Sequence, residues 1–354
     1  MRQTMCVLAA LMLAMMLMLA GQAVEAQTKQ IKIATLAPEN SAWMKKFRAG
    51  AAEIKERTDG RVTLKFYSGG VQGTETKVLR KIQIGQLHGS TFAPMDFQKQ
   101  YPELNIYGLP FVFQSDDEVD YVRERMDNKL MQGIEGLGFK SFGFASGGFA
   151  IVMSNEPVRG HEDLVGKKVW LPEGDLISYE AMRALDLSPV SLPMTDVLTG
   201  LQTGLIDIVA IPPVVALALQ WHTKVKYVTQ MPVLFAMGFL GIQSKAFAQL
   251  EEADQEVVSE VLTRIYAEVD AASVADSQNA TQALFNIGLT NVEPHAGEFE
   301  RLRARMLENN RAMAQRGMFS LDLLEEMTSH IDTYRAANGS AEDDPVTAVS
   351  GTRE

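Results

Sequence analysis

Two carboxylates separated by one glycine, Glu173 and Asp175, close the stretch GKKVWLPEGD, Gly166 to Asp175, and form the best-placed pair in the chain for acid–base work. The same stretch reads more strongly as a turn into a helix, with Asp175 where an N-cap belongs and Glu173 facing solvent. The five histidines, His88, His161, His222, His295 and His330, are scattered. No two are spaced to share one helix face, so no metal site is expected. The glycines of GIEGLGFKSFGFASGG, Gly133 to Gly148, match neither a dinucleotide fingerprint nor a phosphate loop and read as loop and strand boundaries. Ser146 stands outside a nucleophile-elbow pattern. No cofactor is implied and an enzyme is not expected.

The elements that must position these residues alternate. Gln30–Leu36 reads as a strand, followed by a helix capped by Ser41 with Trp43, Phe47, Ala51 and Ile54 at helical spacing. Arg61–Tyr67 reads as a strand, Thr74–Leu87 as a helix, His88–Ala93 as a strand and Val119–Gly133 as a helix. The pattern restarts after Gly148 with strands Phe149–Ser154 and Lys168–Leu171, helices Leu176–Leu185 and Thr195–Thr203, and strand Ile206–Ile211. Such alternation predicts an α/β fold with a mostly parallel sheet covered on both faces. From Glu251 to Phe285 there is neither Pro nor Gly, and a single helix there would reach roughly 50 Å, enough to brace two lobes.

Arg2, the apolar run Val7–Ala20 and the small residues around Val24-Glu25-Ala26 predict a secretory signal over residues 1–26, cleaved near Ala26, and a periplasmic mature chain. That run is too short to span a bilayer, so no direct membrane insertion is expected. The only cysteine, Cys6, lies inside the signal, so the mature chain carries no thiol. A net charge of −11 argues against nucleic acid as a partner. Residues 340–354 are small and charged and read as a disordered tail.

Four segments taken together resemble the dicarboxylate-binder type of solute-binding protein from tripartite ATP-independent periplasmic (TRAP) transporters. They are GVQGTETKVLRKIQIGQLHG (Gly70–Gly89), YPELNIYGLPFVF (Tyr101–Phe113), DLVGKKVWLPEGD (Asp163–Asp175) and LTGLQTGLIDIVAIPP (Leu198–Pro213). The resemblance implies a two-lobed periplasmic-binding-protein fold of type II character, with hinge strands and a long bracing helix in the C-terminal part. It also implies a cleft that closes on one small organic solute, and the small and large TRAP membrane subunits as partners; oligomeric state is left open. The expected division is 27–148 with 239–280 as the first lobe and 149–238 with 281–339 as the second.

At the position of Trp170 the family pattern carries an arginine whose planar fork clamps a ligand carboxylate through two parallel hydrogen bonds. Ala150, Ile211 and Ala93 likewise stand where the family can place arginine, asparagine and glutamate. The expected ligand-contacting set is therefore Trp170, Ile211, Ala150, Phe149, Pro212, Met194, Phe92, Trp43 and Glu173. Such a wall favours a small, largely apolar or aromatic solute over a dicarboxylate, because a dry carboxylate without a cation loses several kcal/mol of hydration. The reading leaves room for a monocarboxylate near Lys167, Lys168 or Arg159, or for a cation on the Trp170 face with Glu173 or Asp175 as counter-charge. Trp221 and His222 are expected to flank a surface helix. The alternative is a periplasmic interaction protein of the same fold without ligand cycling; a hydrolase built on Glu173 and Asp175 is the weakest class.

Overall fold

The computed structural model describes residues 28–338. The expected signal peptide, Cys6 and the expected 340–354 tail lie outside the described residues.

Strand β1 (Lys29–Ala34) pairs in parallel with β2 (Val62–Tyr67) and with β3 (Gly89–Phe92). Helix α1 (Ala42–Arg57) starts at Ser41, whose hydroxyl accepts the Met44 N–H at 3.2 Å, and buries Met44, Phe47 and Ile54 on one face. Helix α2 (Glu75–Gln83) leads into β3, and α3 (Asp116–Gly136) covers the sheet beyond it.

Strand β4 (Phe139–Ser154) overturns the expected loop at Gly133–Gly148: it starts ten residues before the strand expected at Phe149. Its glycines sit within the strand, at irregularities where register shifts between Ser141 and Phe144 and between Ser146 and Gly148. Gly143 and Gly148 take positive φ there, 110° and 85°, a region that glycine enters without a Cβ penalty. The bulges bend a ribbon that would otherwise run straight for roughly 50 Å.

In the second lobe β5 (Trp170–Pro172) pairs in parallel with β6 (Val190–Leu192). Helix α4 (Leu176–Ala184) follows Asp175, whose carboxylate accepts the Ser178 N–H at 3.0 Å. Next come α5 (Val197–Thr203), β7 (Ile208–Ile211) and α6 (Pro213–Ala218). Strand β8 (Tyr227–Gln243) then runs antiparallel to β4 along nearly its whole length. The principal sheet has the order β2-β1-β3-β8-β4-β7, so β4 and β8 pass from one lobe into the other. Helix α7 (Glu252–Asn286) lies along β4 and touches both α1 and α6, one from each lobe. It matches the expected brace.

Strand β9 (Thr290–Val292) adds to β8, after which α8 (Glu298–Gln315) packs on α4. The last helix, α9 (Leu321–Asn338), lies against α3. The sequence division gives 281–339 to the second lobe, whereas this final helix reaches across to the first.

Candidate functional site

Two adjoining cavities lie where the lobes meet. The cleft chamber, about 290 Å³, is walled by Thr35, Trp43, Thr91, Phe92, Asp96 and Ser146 on one side. Pro172, Glu173, Met194, Ile211 and Pro212 wall it on the other. The lobe chamber, about 230 Å³, is bounded by Ala150, Val152, Trp170, Ile177, Ala181, Ala210, Met231, Leu302 and Met306. Ala93, Met95, Pro172, Met194, Ile211, Pro212, Ala236 and Met237 line both.

Strand geometry decides which of the expected residues meet these spaces. Side chains alternate across a strand, so Ala150 and Val152 of β4 share the lobe chamber with Ala210, the register partner of Val152 on β7. Phe149 points to the other face. It sits 5.4 Å from Phe235 in an edge-on contact and lies beside Val274, Ser277 and Thr281 of α7, lining neither chamber. Its place in the expected contact set is corrected by this period of two. Ile211, Pro212 and Met194 line both chambers, while Phe92, Trp43 and Glu173 line the cleft chamber. Phe92 is at the same time core, packed on Phe97, Phe139 and Phe239.

Trp170 combines two roles. Only 3 % exposed, it packs edge-on to Trp221 with ring centroids 5.1 Å apart, and its Nε1–H donates to the Leu192 carbonyl at 3.0 Å. That donor is therefore engaged within the lobe, and the indole offers the chamber ring surface alone. Trp221 is itself buried, so the expectation of a surface helix there is corrected: the second indole is the pillar that holds the first.

The charges around the chambers are all of one sign. Glu75, Asp96 and Glu173 border the cleft chamber and Asp175 borders the lobe chamber; no Lys, Arg or His lines either among the described residues. Burial pushes the Asp96 carboxyl up to about 7, helped by the nearby charge of Glu75, while the Ala93 N–H donating to Oδ2 at 2.9 Å works the other way. Burial likewise raises Asp175, opposed by the Ser178 hydrogen bonds. The lysines and arginine that could have met a carboxylate lie elsewhere: Lys167 pairs with Glu156, Lys168 Nζ donates to the Gly204 carbonyl at 2.7 Å, and Arg159 is exposed.

Asp96 and Glu75 escaped the sequence reading. The signal for Asp96 was a lone acid in the apolar run Phe92-Ala-Pro-Met-Asp-Phe97, directly after a strand end. The walls supplied by Leu302 and Met306 had none, because α8 returns to the site from far along the chain. Among the described residues no group of three or more His, Cys, Asp or Glu side chains is placed to hold a metal ion.

A family model for bacterial extracellular solute-binding protein, family 7, matches residues 33–316. A solute-binding protein of Roseobacter denitrificans is 26% identical over 242 residues, covering 68% of this chain and 74% of that one. The C4-dicarboxylate-binding periplasmic protein of Rhodobacter capsulatus is 25% identical over 174 residues, covering 46% and 51%. The chain thus spans between about half and three-quarters of the length of the curated relatives it matches. The sugar acid binding protein of Advenella mimigardefordensis, solved in complex with galactonate, superposes with a TM-score of 0.80 at 16% identity, over 87% of this chain and 99% of that one.

Proposed function

Because the chain belongs to family 7 of the bacterial extracellular solute-binding proteins, we propose that it is the solute receptor of a TRAP transporter, capturing a largely apolar or aromatic small molecule between its lobes. It is a binding protein and not an enzyme. We further propose that it is exported, that residues 27–148 with 239–280 and the final helix 321–338 form one closing body and 149–238 with 281–320 the other, and that the solute passes to ion-driven membrane subunits. No helix among the described residues is long and apolar enough to cross a membrane.

The observation that carries the ligand class is the absence of any cation from the described lining of both chambers. The Rhodobacter relative is named for C4-dicarboxylates and the Advenella structure holds galactonate, both carboxylate ligands. A carboxylate placed in this cleft would meet Glu75, Asp96 and Glu173 with no guanidinium to offset them, at a cost of several kcal/mol. Apolar area works the other way: covering about 150 Å² of a ligand is worth roughly 4 kcal/mol.

Native mass spectrometry of protein purified without refolding, followed by thermal-shift titration of any retained molecule, tests this. Apolar and aromatic compounds are expected to raise the melting temperature while succinate and galactonate leave it unchanged. Stabilisation by succinate or galactonate alone would overturn the ligand class.

A further inference from the structure

Resting on that reading, we infer that the two chambers divide one elongated ligand between them. The lobe chamber takes an unbranched hydrocarbon chain, and the cleft chamber takes a head group that donates hydrogen bonds, a protonated amine or a hydroxyl.

The lobe chamber has almost nothing with which to hold a polar group. Asn105, Ser178 and Asp175 are its only polar or charged lining residues among those described. Two of them already have partners: one Asn105 N–H donates to the Pro102 carbonyl at 3.2 Å, and Asp175 accepts from the Ser178 side chain and from the Ser178 and Ile177 backbone N–H groups at the start of α4. Water bound there would find few partners, whereas a methylene chain would find contact on every side. Three of the walls, Met182, Met231 and Met306, are flexible thioethers that can follow the outline of a chain without a fixed ring shape. The wall shared by the two chambers sets the small Ala93 and Ala236 and the flexible Met95, Met194 and Met237 beside Pro172, Ile211 and Pro212, so a ligand crossing it can pass along small or adaptable side chains.

The cleft chamber has the complementary character. Its charged groups are acceptors, and Asp96 is the most enclosed of them. Only its Oδ2 is engaged, by the Ala93 N–H, and Oδ1 has no partner among the described residues. A donor head at Asp96 satisfies that oxygen, and an ammonium also answers the negative charge shared with Glu75. A carboxylate head does neither.

Matched series of primary n-alkylamines, n-alkanols and n-alkanoates from four to twelve carbons, titrated calorimetrically into the full mature chain, read both halves of the inference. Affinity of the amines and alcohols is expected to rise about fourfold per added methylene and then to level off. Alkanoates of equal length bind more weakly. Ala210→Leu, which fills part of the lobe chamber, makes the plateau arrive at a shorter chain; Ala210→Val is the milder substitute if circular dichroism shows that the first variant is unfolded. Asp96→Asn weakens the amines by at least about tenfold and moves the alcohols far less. A flat response to chain length, a plateau that either Ala210 variant leaves in place, or alkanoates that bind best would overturn the inference. Binding of compact aromatic compounds alongside a flat alkyl series would defeat the inference and leave the proposed function standing; binding of succinate or galactonate alone would defeat both.

Discussion

Along α7 the chain uses arginine as a clasp. Arg57 holds Glu260 at 2.6 Å, Arg61 holds Asp254 at 2.8 Å, and Arg123 of α3 grips Asp270 with two bonds of 2.8 and 2.9 Å while also meeting Asp127. Asp270 Oδ1 additionally accepts the Ser146 backbone N–H at 2.7 Å, fastening α7 to β4. A short distance away, Ser146 also borders the cleft chamber, where no cation appears among the described residues. The brace joins elements by fork-to-carboxylate geometry, whereas the cleft offers contact area and unopposed acceptors. The comparison teaches that a chain with 33 Lys and Arg residues is not short of cations; it places Arg57, Arg61 and Arg123 where they lock the frame and none of the described ones against the chambers.

The largest effect expected from breaking this contrast is on the brace. Arg123 is 7% exposed at its side chain, and burial alone would lower its pKa, but hydrogen bonding to Asp270 and the charges of Asp127 and Asp270 hold it above the ordinary range. Arg123→Ala leaves both carboxylates facing each other and should lower unfolding free energy by about 3 kcal/mol or more in a urea titration. A loss under about 1 kcal/mol would mean that the fork is ornamental and that apolar packing alone holds α3 to α7.

The second effect lies in the cleft and has the opposite sign. A carboxyl raised from 3.8 to about 7 in the folded state favours folding when protonated. Its contribution is complete below pH 4, is lost as pH climbs to 7 and is constant above. Asp96→Asn should flatten that slope and stabilise the ligand-free protein at pH 8, by up to about 4 kcal/mol. Parallel pH-stability curves for the variant and the wild type would show that Asp96 keeps an ordinary pKa. The smallest effect belongs to the exposed end of the brace: Arg57→Gln should leave the melting temperature nearly unchanged, since water and salt already screen Arg57 and Glu260. A large drop there would erase the distinction between the buried clasp and the surface one.

Local grammar made much of this frame legible in the sequence. Ser41 and Asp175 both cap the helices they precede, and the run without Pro or Gly from Glu251 does form one helix. The long β8 left no comparable trace, because no residue of it is fully exposed and neighbouring residues are buried together towards both ends, which blurs the alternation that marks a half-exposed strand. The glycines of β4 hid a strand for a related reason: turn residues within a bulged ribbon look like breaks. At the site, chain position alone put Trp170 in the wall but could not reveal that Leu192 takes its N–H or that Trp221 supports its ring. Those are contacts between distant segments, and only the fold brings them together.

The two ribbons that serve both lobes have one more consequence. In a protein whose halves are linked by a plain tether, either half could be cut loose and keep its own sheet. Here β4 and β8 supply strands to both halves, so no cut leaves an intact remainder: removing one body strips the other of paired strands. Any movement of one half against the other therefore has to run through continuous strands, whose regular pairing is broken at Gly143 and Gly148.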